Sequence, residues 1–358
     1  MRFLDTLLKK QLVGLDIGIS GIKAIEVSSE KAPRLLAYNR IPLNWDTISV
    51  EGEVKDRNAL IQALKKLFAV GNFSSKNVSV SAFGRSIISK RISIPVMTEE
   101  ELDHQLYWEA EQYIPFNTDE VNLDFAILGP NTQTLAQEPK MDVLLVAAKK
   151  DFIKFLQSLI KEAGLNPVVI DTQAFALGNV FEFNYHSWLR EQGCSTSVLI
   201  DFGASSTKIS VVEGQQTTFN RDIQLCGTRC TEMIMEQLGV TVEDAERLKI
   251  EKAFDPTVTP ILVEFSNMLA DEILKTIDFF LSQATQQSID AVFTCGGGVN
   301  LSGLNQVLKD KLPAPVYLLN PLKHIIGTGR QVNQIALQEI AYLGAVAAGL
   351  SLRKQGDH

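Results

Sequence analysis

Short apolar runs separated by glycine-bearing polar breaks recur along this chain, and two of these stretches read alike. In GLDIGISGIKAIEV, at 14–27, an apolar run ends in an aspartate, a glycine follows two residues later, and a β-branched run begins after a short turn. VLIDFGASSTKISVVEG, at 198–214, repeats that order. Apolar runs flanking a tight turn predict a β-hairpin. A third run, AVFTCGGGVNLSGL at 291–304, enters three glycines, after which Asn300 or Ser302 is placed to cap a helix.

Around these anchors the periodicity predicts strands at 13–15, 22–27, 34–41 and 77–82 with a helix at 57–68, a mixed α/β unit. The pattern then changes. Strands at 91–94, 122–128 and 142–148 with helices at 98–114 and 150–163 make a small α+β module, whose polar loop 129–140 is expected to be mobile. Strand 167–170 and helix 173–181 return to the first unit. A second unit carries the second hairpin, helices at 228–238, 242–250 and 260–286, and the glycine run. The final helix contains YLGAVAAGL, at 342–350, whose small residues permit a close helix crossing. The domain reading is therefore 1–86 and 168–191 for the first unit, 87–167 for the module inserted in it, 192–333 for the second unit, and 334–358 for a C-terminal helix.

The hairpins carry the candidate chemistry. Small residues at a hairpin tip let backbone N–H groups close around an anion, which a larger side chain would block. An aspartate ending a buried strand can hold a hydrated cation, most naturally Mg²⁺, beside phosphates. One D-x-G alone is ordinary turn chemistry. Its repetition, joined by the glycine run, favours a nucleotide gripped from two sides. Asp16 and Asp201 are the candidates for organising Mg²⁺ and water, and Gly18, Ser20, Gly203, Ser205 and Thr207 for contacting phosphates. Lys23 either neutralises phosphate charge or faces solvent, with a slight preference for solvent.

On these residues the chain resembles the actin-like ATPase superfamily: two related α/β domains around a nucleotide cleft, here with a small α+β subdomain inserted in domain one, and the resemblance implies that the helix at 334–358 returns to domain one as part of the hinge. The resemblance implies ATP or ADP with Mg²⁺ as ligand. It makes Asp16 to Lys23, Ile19 included, the first phosphate loop, and Asp201 to Thr207, Ala204 included, the second. Gly296, Gly297 and Gly298, followed by Val299, become an adenosine loop that lets the adenine lie flat against backbone. CGTRCTEMI, at 226–234, matches a glycine-bearing turn into a helix through Gly227, and AERLK, at 245–249, matches the helix that faces ribose and adenine through Glu246 and Lys249. Three apart on a helix, Glu246 and Lys249 read equally well as a solvent-exposed ion pair. For hydrolysis the resemblance points to IDTQAFAL, at 170–177, with Asp171 and Gln173 joining Asp16 and Asp201; Gln173 is placed like a water-positioning glutamine. Asp171 and Thr172 read equally well as a helix N-cap, so slow or absent turnover is the expectation.

A narrower resemblance lies in RISIPVMTEEELDHQLYWEAEQYIPFNTDEVNLDFAIL, at 91–128, which is similar to the PilM family of type IV pilus assembly proteins. It extends over essentially the whole chain. It implies a cytoplasmic scaffold, held peripherally at the inner membrane through its partners, with a groove beside the module for the N-terminal cytoplasmic tail of the membrane protein PilN. Other pilus inner-membrane and motor components, and self-association into a homo-oligomer, stay open as further partners. The alternatives are an FtsA-like division filament protein, or an ATPase or small-molecule kinase of the same superfold. FtsA-type proteins usually end in a basic amphipathic membrane helix, which LRKQGDH at 352–358 lacks, and no kinase-type lid module is evident. Without the family, the segment still reads as a helix with a Thr98–Glu101 capping box, an apolar line of Leu102, Leu106 and Tyr113, a stop at Pro115 and an acidic face.

Composition removes other classes. Of 358 residues, 45% are apolar and 21% charged, ample material for two cores, and the net charge of −8 offers no basic stripe for nucleic acid. No run is long and apolar enough to span a bilayer. MRFLDTLLKK, at 1–10, lacks a secretory cleavage site and is read as a turn or two of helix packed on the body. Cys194, Cys226, Cys230 and Cys295 lack zinc spacing, and the four histidines are scattered, so no structural metal is expected.

Overall fold

The computed structural model describes residues 11–354 apart from 31, 85, 132–138, 252–254, 284–287, 326 and 328–331. Most of the expected mobile loop 129–140, and the helix expected at 1–10, therefore lie outside the described residues. The first unit opens with β1 (Val13–Gly18), β2 (Gly21–Val27), β3 (Leu35–Pro42), α1 (Arg57–Gly71) and β4 (Asn77–Ala82). The module follows with β5 (Ile87–Pro95), α2 (Glu99–Glu111), β6 (Val121–Asn131) and β7 (Lys140–Lys149). After α3 (Lys150–Glu162) and β8 (Asn166–Thr172), α4 (Gln173–Gln192) crosses to the second unit. There lie β9 (Thr196–Phe202), β10 (Thr207–Glu213), β11 (Gln216–Ile223), α5 (Gly227–Leu238), α6 (Val242–Glu251), α7 (Thr259–Gln283), β12 (Ala291–Cys295), α8 (Leu304–Lys311) and β13 (Val316–Leu318). Last come α9 (Gln334–Leu343) and α10 (Ala345–Ser351).

The two units are built on one plan. The first sheet runs β3-β2-β1-β4-β8 and the second β11-β10-β9-β12-β13, each three antiparallel strands followed by two parallel ones. Both hairpins therefore sit mid-sheet, at the ends of strands buried on both faces. Helices are delimited by local chemistry. Asp56 caps α1 through the Ala59 N–H at 2.8 Å, Thr98 and Glu101 close the expected capping box on α2, and Thr172 caps α4 through the Phe175 N–H at 3.1 Å. Helix α2 ends at Glu111, ahead of Pro115, and α8 starts from Gly303 with no side-chain cap, so neither Asn300 nor Ser302 serves as one.

Antiparallel β5-β7-β6 and α2 enclose a small core of their own, with Ile92, Ile94, Leu102, Leu106, Val143 and Leu145 buried. Helix α3, expected in this module, instead buries Leu156, Leu159 and Ile160 with Leu60, Leu64 and Val80 of the first unit. The module thus closes at Lys149 rather than at 167. The apolar stripe on α3 is legible in sequence; which sheet it covers is a tertiary fact.

A third core lies between the two sheets, where Phe181 and Tyr185 of α4 meet Phe293, Leu199 and Ile25. Here the small residues of the C-terminal stretch act as expected, although Gly344 divides it into α9 and α10 rather than one helix. A Cβ on Gly349 would lie 1.7 Å from the Ala176 carbonyl oxygen of α4, and one on Gly14 of β1 2.0 Å from that of Ala347. Only glycine admits that crossing, which fixes α10 on both β1 and the helix linking the two units. No helix among the described residues is long and apolar enough to cross a membrane.

Candidate functional site

Asp16 lies two residues before the end of β1 and pairs across the hairpin with Lys23 of β2, so both side chains leave the same face of the sheet. Lys23 Nζ lies 2.7 Å from Asp16 Oδ2, and the lysine side chain is only 13% exposed. This corrects the slight preference for solvent. Two further donors converge on Asp16 Oδ1: Ser81 Oγ of β4 at 3.2 Å and Gln173 Nε2 of α4 at 3.1 Å. Burial pushes the carboxyl up, but the Lys23 charge and the hydrogen bonds from Lys23, Gln173 and Ser81 outweigh it and hold it below the usual aspartate range.

Asp201 occupies the matching place in the second sheet, opposite Lys208 of β10. Its environment differs. Among the described residues no hydrogen bond reaches its carboxylate, and Lys208 Nζ turns instead to Ser206 Oγ at 2.7 Å and toward Asp222 Oδ2 at 3.7 Å. Burial raises the Asp201 carboxyl and Lys208 partly opposes that, while the negative charge of Asp16 across the cleft raises it further. The two aspartates thus face one cleft in opposite electrostatic states, one satisfied and one open.

The second loop is tied to α5. Gly227 N–H donates to the Gly203 carbonyl at 3.0 Å and Thr228 N–H to that of Ala204 at 2.9 Å. Thr207, expected on phosphate, lines the cleft with its side chain buried and donates its hydroxyl to the Leu225 carbonyl at 2.6 Å, a bond that holds the loop. On α6, Lys249 bonds Glu246 at 2.6 Å, Thr231 Oγ1 at 2.8 Å and the Gly227 carbonyl at 3.1 Å, and Glu246 also accepts from Thr231. With Lys249 13% exposed, this is a cleft-lining cluster rather than a solvated surface pair.

In the glycine run, a Cβ on Gly296 would meet Asp201 Oδ1 at 2.3 Å and one on Gly298 the Phe202 Cβ at 2.7 Å. Gly296 also has φ +88°, a left-handed backbone that favours glycine. These two glycines are therefore required by the close pass over the end of β9, a reason independent of any base lying on them. Val299 turns into the second unit's core instead of lining the cleft. Asp171 also stands apart: its carboxylate faces Arg353 at 3.3 Å and does not line the cleft, while Thr172 takes the capping role. Burial raises the Asp171 carboxyl, with Arg353 partly offsetting it. Asp171 thus lies apart from the groups that line the cleft.

The cleft these groups line has a volume of about 1170 Å³. Besides Asp16, Gly18, Ile19, Ser20, Lys23, Gln173, Asp201, Gly203, Ala204, Ser205 and Gly227, it is lined by Lys208, Arg40, Asp222 and Tyr342, which the sequence reading missed. One signal was available: Lys208 follows Asp201 by the same interval as Lys23 follows Asp16. The cleft continues to the module, where Ile87, Ile88, Ser89, Pro115 and Phe116 face Trp45 and Val50 of the first unit. The module also reaches the second unit. Ser89 bonds Asn220 of β11, and Arg91 of β5 pairs with Asp142 at 2.6 Å and with Glu213 of β10 at 3.4 Å.

Among the described residues no group of three or more histidine, cysteine or carboxylate side chains is assembled as a metal site. A hydrated Mg²⁺ takes carboxylate, water and phosphate oxygens as ligands. The open Asp201 carboxylate is the fitting donor.

A family model described as type IV pilus assembly protein PilM matches residues 14–355. A chain of a solved PilM–PilN type IV pilus biogenesis complex is 30% identical, with 96% of this chain and 98% of that chain covered and a TM-score of 0.82. The ethanolamine utilization protein EutJ from Carboxydothermus hydrogenoformans is similar in fold, at 14% identity, TM-score 0.54, and 96% and 89% coverage of the two chains.

Proposed function

The chain belongs to the PilM family of type IV pilus assembly proteins and has the actin-like ATPase fold, and from that premise we propose that it is an ATP-binding scaffold that docks the N-terminal cytoplasmic tail of PilN. The observation carrying this reading is the single continuous cleft, which runs from the two aspartate hairpins to the junction between the module and the first unit. ATP or ADP lies between the hairpins. Lys23 and the backbone of both loops face the phosphates, the cluster of Thr231 on α5 with Glu246 and Lys249 on α6 faces the nucleoside, and Asp201 holds a hydrated Mg²⁺. When bound, Mg²⁺ would neutralise phosphate charge beside that carboxylate.

The module end suits an extended peptide, with apolar and aromatic side chains at Ile88, Phe116 and Trp45 to take alternate residues. Helix α2 carries Glu99, Glu100, Glu101, Asp103, Glu109 and Glu111, favouring a tail with Lys or Arg. The protein acts on the cytoplasmic side, peripherally at the inner membrane through PilN. Turnover is slow or absent: Thr172 caps α4, Asp171 is turned away, and Gln173 is engaged by Asp16. Equilibrium titration with ATP, with and without Mg²⁺, tests the reading. Saturable binding weakened by Asp201→Ala supports it, and absence of nucleotide binding by the folded protein contradicts it.

A further inference from the structure

The two hairpins share an aspartate–lysine cross-strand pair yet resolve it oppositely, and the third strand of each sheet supplies the reason. In the first sheet Lys23 is flanked by Asp16 on β1 and Arg40 on β3. A cation on the far side leaves Lys23 on Asp16, at 2.7 Å. In the second sheet Lys208 is flanked by Asp201 on β9 and Asp222 on β11. An anion now sits on the far side. Asp222 Oδ2 accepts from Ser206 Oγ at 3.2 Å, and Ser206 Oγ accepts from Lys208 at 2.7 Å, which draws the ammonium away from Asp201. Directly opposite residues of an antiparallel pair lie about 5 Å apart at Cβ, so Lys208 has the reach to do what Lys23 does.

We propose that Asp222 is a positioning residue that, through Ser206, holds Lys208 off Asp201 and thereby keeps Asp201 free to seat the divalent cation accompanying a nucleotide. The division of labour follows from one residue in each third strand. The first wall sets two cations, Lys23 and Arg40, against Asp16, with Arg40 also pairing with Glu339 at 3.7 Å, and it is the face for phosphate. The second, with Asp201, Lys208 and Asp222, is a net anionic face for the metal. This inference rests on the nucleotide reading above. Asp222 acts through Ser206 and Lys208, and its side chain is 56% exposed, so replacing it leaves the core intact.

The test is the Mg²⁺ enhancement of ATP affinity, the ratio of dissociation constants without and with the cation, measured by calorimetry on the full chain. Loss of a charge-assisted contact is worth about tenfold in affinity. Wild type is expected to show an enhancement of about tenfold or more. In Asp222→Asn, Lys208 collapses onto Asp201 and the enhancement falls to within about threefold of unity. The double variant Asp222→Asn/Lys208→Met has no lysine to collapse, and the enhancement returns. That rescue separates positioning from a merely structural role. A wild-type enhancement retained in Asp222→Asn, or a double variant no better than the single one, overturns the inference while leaving nucleotide binding standing. Wild type that binds no ATP overturns the nucleotide reading and this inference with it.

Discussion

Lys23→Met removes the cation from Asp16 while keeping much of the side-chain volume, and the surroundings of Asp16 set the size of the effect. Truncating one partner of a buried ion pair costs about 3–5 kcal/mol, because the other charge is left uncompensated. Here Ser81 and Gln173 still donate to Asp16 Oδ1, at 3.2 and 3.1 Å. The expected loss at neutral pH is therefore about 2–4 kcal/mol. The loss must also depend on pH. In wild type the folded-state Asp16 titrates below its ordinary value of 3.8, so its ionised form adds stability above that pH and loses it as the pH falls through the folded value. Without Lys23, burial dominates and the folded value rises above 3.8, which imposes a penalty that grows as the pH climbs toward it. The gap between variant and wild type is thus smallest in acid and widest near neutrality. Urea unfolding of the nucleotide-free proteins at about pH 4.5 and 7.5 reads it directly. An equal gap at both pH values, or none at pH 7.5, would refute the assignment of Lys23 as the counter-charge of Asp16.

At the crossing of α4 and α10, Gly349→Ala should cost about 1–3 kcal/mol or more by overpacking, because the new Cβ would fall 1.7 Å from the Ala176 oxygen; Gly297→Ala, which meets only Leu343 at 3.5 Å, should stay within about 0.5 kcal/mol. Calorimetric melting ranks the two, and the reverse order would contradict the packing account. Arg91→Ala should release the module from the second unit and leave Asp142 without its cation, raising amide exchange in β5 and β11 by about tenfold while the core of α7 stays protected. Unchanged exchange in β5 and β11 would show that this seam carries no stability.

Much of the fold was legible because its signals are local. The doubled hairpin, the glycine run and the Thr98 capping box each announce themselves within a dozen residues and stand where expected, and the small-residue stretch makes its close crossing as two helices rather than one. What failed to show is what depends on neighbours distant in sequence. The periodicity of α3 gave an amphipathic helix but not the sheet it would cover. Lys23 was weighed against solvent because nothing local says that Ser81 and Gln173 would join it around Asp16. Arg40 and Asp222 went unnoticed for the same reason: their meaning lies in standing beside Lys23 and Lys208 on a third strand, which only register reveals. Asp171 shows the converse, an acidic residue at an apt position in the chain that pairs with Arg353 near the far terminus.

The central claim joins nucleotide and partner in one cleft, and calorimetric titration of the intact chain with a synthetic peptide of the PilN N-terminal tail tests it most directly. Saturable binding near one peptide per chain is predicted, stronger at low salt and weakened about tenfold or more by Trp45→Ala or Phe116→Ala, since aromatic anchors dominate such grooves. No binding, or binding indifferent to both substitutions, would contradict the account.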